Sequence, residues 1–394
     1  MELRPLGSSG LLVSPICLGT MTFGTPVPEA DAIRLVHESI DMGINFIDTA
    51  NVYEGYDRVL GSAGGVAEEI TGKAIADRRD SVVLATKVGA PLGSGPQDRG
   101  LSPLHIEREI EASLKRLGTD VIDLYIIHWP DRHTPLESTL EALDRVVRQG
   151  KARYIGVSNH SAAQLCQLLW LAEKHNWVRP VSSQIPFSFL RRAFQHDLPF
   201  CEEFSIGVTP YQSLQGGLLT GKYRRGEEPP SGSRAAEKPE WVWARDDAMF
   251  DKLEALEALA AEIDTTPARY ALAWTLAQPA MSSLVVGAKR SEQVADAVAA
   301  ADLGDPLRTL RADRRDRPGS VEAGRPDQVV ATAALLASTS CSSHPGNASA
   351  YSRAWATMST PTRCRQASVN RSTTGPRWPS PTTWPSNDRP CTMQ

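Results

Sequence analysis

Asp48, Tyr53, Lys87 and His128 each stand at or just past the carboxyl end of a short apolar run. The runs are Ile44-Asn45-Phe46-Ile47, Val82-Val83-Leu84-Ala85 and Leu124-Tyr125-Ile126-Ile127. A carboxylate, a phenol, an ammonium and an imidazole gathered at one rim can put a proton on a carbonyl oxygen at neutral pH. A free phenol titrates at about 10 and is a weak acid at pH 7. A neighbouring ammonium stabilises the phenolate and is expected to lower that value; a carboxylate beside the ammonium keeps it charged and in place. Tyr53 then reads as the acid, Lys87 as its tuner and Asp48 as the anchor. His128 would donate a hydrogen bond that orients the substrate oxygen. Each has a plainer reading alone: an Asp–Lys pair is more often structural, a histidine a satisfied core residue, a tyrosine a loop aromatic. Their joint position at strand ends is what points to chemistry.

The elements that must position them follow from periodicity. Apolar, β-branched runs predict strands near 15–19, 44–48, 82–87, 122–128, 153–158, 181–185, 206–211 and 283–287, buried on both faces. Between them, Ile33/Val36/Ile40, Ile106/Ile110/Leu114/Leu117, Leu136/Leu140/Leu143/Val147 and Leu253/Leu256/Leu259 recur at helical spacing. Thr134-Pro135-Leu136-Glu137 reads as a capping box, and Ser102-Pro103 as an N-cap. Leu3 to Val13, with its turn at Gly7 to Gly10, predicts an N-terminal hairpin. Alternating strands and helices predict an α/β fold, a closed (β/α)8 TIM barrel over residues 1–303. An open doubly wound sheet binding a dinucleotide would show GxGxxG after its first strand, and the chain has no such motif. Barrel chemistry lies at the carboxyl-end rim. That rim would gather Gly19-Thr20-Met21, Asp48, Lys87, His128, Ser158-Asn159, Gln184, Tyr211 and Gly287, under long connections at 51–66, 89–102 and 212–246.

Composition bounds the function class. Hydrophobic content of 41% and charged content of 22% are those of a globular protein, and no apolar run is long enough to span a bilayer. The first residues show no basic stretch followed by an apolar one, so no signal peptide, a cytoplasmic location and no membrane partner are expected. Cys17, Cys166 and Cys201 stand singly without metal-ligand spacing, which reads as reduced core thiols and no metal. Residues 304–394 carry 12 arginines, no lysine and 6 acids, about +6, and the rest therefore about −10 of the overall −4. An acidic body argues against nucleic acid as a partner. The Ser/Thr/Pro-rich 304–394 segment is read as a low-complexity tail, disordered or arising from a shifted reading frame in a GC-rich gene.

The motifs resemble those of the aldo-keto reductase family over residues 1 to about 303. Gly43-Ile44-Asn45-Phe46-Ile47-Asp48-Thr49-Ala50-Asn51-Val52-Tyr53 is similar to a family signature carrying two catalytic residues. Ala85-Thr86-Lys87 matches the catalytic lysine, and Asp123-Leu124-Tyr125-Ile126-Ile127-His128-Trp129 the segment of the catalytic histidine. Gly150-Lys151-Ala152-Arg153-Tyr154-Ile155-Gly156-Val157-Ser158-Asn159 resembles a further signature. The resemblance implies NADPH-dependent reduction of an aldehyde or ketone to an alcohol. It implies that Ser158, Asn159 and Gln184 hold the nicotinamide carboxamide while Tyr211 stacks on the ring, with the backbone at Gly19, Thr20 and Met21 close by. Ser213, Leu214, Gly216 and Leu218 would lie in a pyrophosphate-covering loop, and Gly287, Lys289, Arg290 and Gln293 at the adenosine end. Gln293 and Asp296-Ala297 stand where many relatives carry Arg and Glu-Asn, which weakens the expected grip on adenine and the 2′-phosphate; Lys289 and Arg290 keep positive charge there. Substrate contacts are expected from Tyr53, His128, Trp129 and Phe23, with Tyr56, Trp241 and Trp243 as further wall candidates, for sugar-derived, aryl or terpenoid carbonyls. A monomer or weak homo-oligomer is expected. The alternatives are a cofactor-binding regulatory subunit with little turnover, like channel-associated members of this fold, and a Schiff-base aldolase using Lys87.

Overall fold

The structure is a computed structural model and describes residues 1–308 except 60 and 244; the expected tail beyond 308 lies outside the described residues. It opens with an antiparallel hairpin of β1 (Arg4–Pro5) and β2 (Leu12–Val13). Eight parallel strands follow: β3 (Ile16–Gly19), β4 (Phe46–Asp48), β5 (Val83–Val88), β6 (Ile122–Ile127), β7 (Ala152–Ser158), β8 (Pro180–Gln184), β9 (Gly207–Val208) and β10 (Leu284–Gly287). They run β10-β3-β4-β5-β6-β7-β8-β9. The ring closes because Val208 N donates to Ala280 O (2.8 Å), Ser282 N to Val208 O (2.9 Å) and Val285 N to Pro210 O (2.9 Å). This is the expected (β/α)8 barrel. Every residue of β5 and β6 is buried, as strands covered on both faces require.

The outer layer comprises α1 (Glu29–Asp41), α2 (Val66–Ile75), α3 (Pro103–Leu117), α4 (Leu136–Arg148), α5 (Ala162–His175), α6 (Leu198–Glu203), α7 (Arg234–Glu237), α8 (Asp247–Glu262), α9 (Pro267–Leu276) and α10 (Ser291–Ala301). In α3, Ser102 Oγ accepts from His105 N, Pro103 occupies the first turn, and Ile106, Ile110 and Leu117 form the buried stripe. Gly118 ends it in the left-handed region at φ 62°. Truncating Ile110 to alanine would cost about 2–5 kcal/mol in lost burial and cavity. The expected capping box at Thr134 is not formed. Thr134 Oγ1 donates instead to Asp131 Oδ2 (2.7 Å), a carboxylate that also accepts from Leu101 N and His133 N, and α4 starts at Leu136 without a side-chain cap.

The hairpin seals one end of the barrel. Leu6 and Val13 join Cys17, Phe46, Val83, Ala85, Leu124, Ile126 and Val181 in one buried cluster. Gly7, at φ 54°, is required there, since a Cβ would lie 2.2 Å from Val181 O. The opposite, carboxyl-end mouth is left for chemistry.

Candidate active site

Register explains why residues far apart in sequence meet. Asp48 pairs with Ala85, Lys87 with Ile126, and Ser158 with Gln184. Lys87 stands two residues past the partner of Asp48, and His128 two past the partner of Lys87. A shift of two preserves the alternation of a strand, so all three keep the same inward parity as they climb the tilted barrel.

Lys87 is wholly buried, and its Nζ donates to Asp48 Oδ1 (2.5 Å), Thr49 O (2.8 Å) and Tyr53 Oη (3.1 Å). Three donors thus meet three acceptors, which is what a buried ammonium needs. Gln184 Nε2 donates to the other Asp48 oxygen, Oδ2 (2.8 Å). Tyr53 is half-buried over Ala50, Val52, Ala90 and Leu92, and its ring meets His128 edge-on at 5.8 Å. Ala67 N donates to Tyr53 O (3.0 Å), so the amino end of α2 fixes the loop carrying the phenol.

The electrostatics correct one expectation. Burial pushes the Tyr53 phenol up; the Lys87 charge pulls it down, Asp48 pushes it up again, and the hydrogen bond from Lys87 pulls it down. The result lies above the ordinary tyrosine value, because desolvation of a phenolate outweighs one cation that is itself shared with a carboxylate. Burial works against the charge on Lys87, but Asp48 and Tyr53, through charge and hydrogen bonds, outweigh it and hold its pKa above the usual lysine value. Burial, then the charges of Lys87 and Arg58, push His128 well below the ordinary imidazole value, so it is neutral at pH 7. Its Nδ1 is buried without a hydrogen-bond partner.

Next to this cluster, Asn159 adopts φ 61° and ties three neighbours together. Its Nδ2 donates to His128 O (3.0 Å) and Ser158 Oγ (3.0 Å), and its Oδ1 accepts from Tyr211 Oη (2.8 Å). Gly19 pairs with Gly287 at the ends of β3 and β10, Met21 is half-buried, and the buried Thr20 Oγ1 lacks a partner. After Tyr211, the chain at Gln212, Gln215, Gly216 and Gly217 is left-handed (φ 57°, 49°, 65° and 93°). Such backbone persists where surroundings over-determine it and clusters at ligand clamps. Ser213 Oγ donates to Pro210 O (3.4 Å); Leu214 is half-buried and Leu218 wholly buried.

Two cations here were not singled out in the sequence. Lys222 folds over Gly217, where a Cβ would lie 2.6 Å from its Nζ. Arg234 lies 4.6 Å from the Tyr56 ring, which Lys289 also approaches at 5.4 Å. Burial, then the like charges of Lys289, Arg234 and Arg290, push the Lys222 pKa down. Lys289 donates to Gly232 O (2.9 Å) and pairs with Glu237. No local motif marks Arg234; only the return of the long 212–246 connection over the barrel brings it to Lys289. Gln293 Oε1 accepts from Lys289 N (2.8 Å) and Arg290 N (3.2 Å), fastening the turn into α10, while Asp296 is engaged by Arg269 (2.6 Å).

The wall residues divide. Trp129 is 51% exposed and stacks on His128 at 6.1 Å. Phe23 does not line the mouth: its ring has no exposed surface and packs in the main core beside Val27. Tyr56 is 5% exposed, covered by Trp241 at 5.4 Å. Trp241 and Trp243 remain largely exposed.

The model of the aldo/keto reductase family matches residues 15–309. The chain belongs to this family. Among curated proteins, this aldo/keto reductase is 39% identical over 319 residues to the "Uncharacterized oxidoreductase YrpG" of Bacillus subtilis, covering 79% of this chain and 94% of the relative. It is 34% identical over 326 residues to "Protein tas" of Escherichia coli, covering 75% and 91%. It is also 34% identical over 337 residues to a protein of Arabidopsis thaliana named "Probable voltage-gated potassium channel subunit beta", covering 83% and 99%. Family and relatives make it an oxidoreductase. Among the described residues, no helix is long and apolar enough to cross a membrane.

Proposed function

We propose that this chain reduces an aldehyde or ketone to an alcohol with NADPH, Tyr53 delivering the proton. The observation that carries it is the single ammonium, Lys87 Nζ, bonded at once to Asp48 Oδ1 and Tyr53 Oη. NADPH held in the mouth would supply the hydride for the carbonyl carbon. As the new C–H bond forms, Tyr53 gives its proton to the oxygen, and the phenolate left behind rests against Lys87 until solvent reprotonates it. A phenol whose pKa lies above the ordinary tyrosine value is still a competent acid toward an alkoxide, which is far more basic; Lys87 serves by stabilising the phenolate as it appears. Neutral His128 offers an N–H to the same oxygen without placing a second cation beside Lys87. The ammonium held by Asp48 is a poor nucleophile, which argues against imine chemistry at Lys87.

The cofactor side fits a dinucleotide. Tyr211, steadied by Asn159, offers a ring platform; Ser158, Asn159 and Gln184, neighbours at the ends of β7 and β8, would offer amide and hydroxyl groups to the carboxamide, and Thr20 an unpartnered buried hydroxyl. Lys222, Arg234, Lys289 and Arg290 give the 212–246 and 287–293 segments a positive field suited to phosphates, with Ser213, Leu214, Gly216 and Leu218 along the pyrophosphate. That field supports NADPH over NADH. A cytoplasmic protein acting as a monomer or weak homo-oligomer is part of the same reading.

The resemblance to a relative named as a channel subunit supports a second reading, a cofactor-binding regulatory subunit with little turnover. Loss of NADPH absorbance over a carbonyl panel separates the two. Catalytic turnover that falls by about 10²–10⁴-fold in Tyr53→Phe, with NADPH binding retained, is expected; tight binding with negligible turnover by the unaltered chain favours the regulatory reading, and undiminished turnover in Tyr53→Phe removes Tyr53 as the acid.

A further inference from the structure

Arg58 lies on the loop between β4 and α2 and reaches across to the loop after β5, where Nη2 donates to Pro91 O (2.8 Å). Its Nε is buried with no hydrogen-bond partner. Among the described residues no carboxylate forms an ion pair with it; Glu54 of the same loop, which accepts from Ser62 Oγ, acts on it through charge without direct contact. Its charge is nevertheless felt at His128. Lys87, the other cation beside His128, is neutralised by Asp48. On the Tyr211 side, Arg191 donates to Gln212 Oε1 (2.7 Å) and lies 5.9 Å from the Trp243 ring, again without an ion pair among the described residues. Two rim arginines without ion pairs among the described residues thus add positive charge beyond the proton-transfer cluster, and the Arg58 guanidinium, tied by one N–H to Pro91 O, keeps further donors for an anion. Apolar side chains stand on the loops of Arg58 and His128: Val59, next to Arg58 in the chain, is 69% exposed, and Trp129, stacked on His128, is 51% exposed.

We propose that Arg58 is a specificity-determining residue that selects carbonyl substrates bearing a carboxylate on an apolar or aryl body. The inference rests on the reductase reading above and narrows its substrate class. The guanidinium, held by Pro91 at the edge of the Tyr53–His128 site, fixes the anionic end while the carbonyl faces Tyr53. A planar fork suits a carboxylate in two-point contact, which lysine offers only as a point charge. Arg58 takes no part in proton transfer and is not a catalytic residue.

The test compares kcat/KM, with NADPH, for 3- and 4-formylbenzoate against their methyl esters, which keep the ring and the aldehyde but lose the charge. The unaltered chain is expected to favour at least one acid over its ester by about tenfold or more. Arg58→Gln should bring that ratio close to one, mainly through KM, and Arg58→Lys should keep part of it. Turnover of the esters equal to or better than that of the acids overturns the inference and leaves the reductase reading standing. A ratio unchanged in Arg58→Gln overturns the role of Arg58. Should that variant not fold, the ratio in the unaltered chain and in Arg58→Lys still decides. Turnover of neither acids nor esters removes the reductase reading and this inference with it.

Discussion

Gln184 Nε2 donates to Asp48 Oδ2 over 2.8 Å, from β8 to β4, four strands apart around an eight-stranded ring. The residue expected to meet the cofactor thus also holds the carboxylate that anchors Lys87. Gln184→Leu leaves one oxygen of a buried carboxylate unpaired, at a cost of about 1–3 kcal/mol. A lower urea midpoint together with a lower kcat is expected. Loss of cofactor affinity alone, at unchanged stability, would show that the bond to Asp48 carries no weight.

Lys87→Met strands Asp48 as an uncompensated buried charge, and about 3–5 kcal/mol of stability should be lost along with turnover. Adding Asp48→Asn to that variant should restore part of the stability and none of the activity. Equilibrium unfolding of the two variants measures the difference; a double variant less stable than the single one contradicts the pairing.

The pH dependence has a definite sign. His128 is held neutral in the folded chain, with its pKa well below the free value. Below about 6.5 the unfolded chain binds a proton at this residue that the folded chain refuses, so stability falls as pH drops through that window, by up to about 1.4 kcal/mol per pH unit. His105 and His160 are pushed down as well, chiefly by burial, and add to the slope. His128→Gln should therefore flatten it only in part, which urea titrations at several pH values would reveal. An identical slope in the variant would place His128 in the ordinary range.

On the alkaline side, Tyr53 must keep its proton to act as the acid. Its raised pKa predicts that any alkaline fall in kcat/KM for reduction comes only above the ordinary tyrosine range. A limb between pH 7 and 8 would mean that Lys87 outweighs desolvation after all.

Cofactor preference tests the positive field. Arg290 is largely exposed and 3.9 Å from Glu292, and Lys289 is paired with Glu237. Arg290→Gln is expected to weaken NADPH by about tenfold and NADH hardly at all, as one lost charge-assisted contact implies. Equal efficiency with NADPH and NADH in the unaltered chain would remove the basis for that expectation.

Much of the barrel was legible before any coordinates, because strands buried on both faces must be short, apolar and β-branched. The runs at 122–128 and 153–158 became Ile122–Ile127 and Ala152–Ser158. Amphipathic helices with strong caps, such as α3, were equally plain. Helix α2 was not: seven of its ten residues are buried, Glu68 and Thr71 among them, so it carries no one-sided apolar stripe. Glu68 is satisfied there by Thr86 (2.5 Å) and Arg116 (2.6 Å), partners that lie on other elements. Phe23 misled for a related reason, since an aromatic on a rim loop reads the same whether it faces a ligand or the core.

Short apolar runs alternating with amphipathic helices determined the barrel and put Asp48, Tyr53, Lys87 and His128 at its rim, because alternation along a strand is a local consequence of backbone geometry, while the motifs around them carried the resemblance to the family. The balance of forces on those groups belonged to the folded chain alone. Whether burial or a cation governs a phenol depends on how much water each has lost. Which arginine is left without an ion pair among the described residues depends on where long loops return. Both are sums over neighbours distant in sequence, and only the closed barrel brings those neighbours within reach.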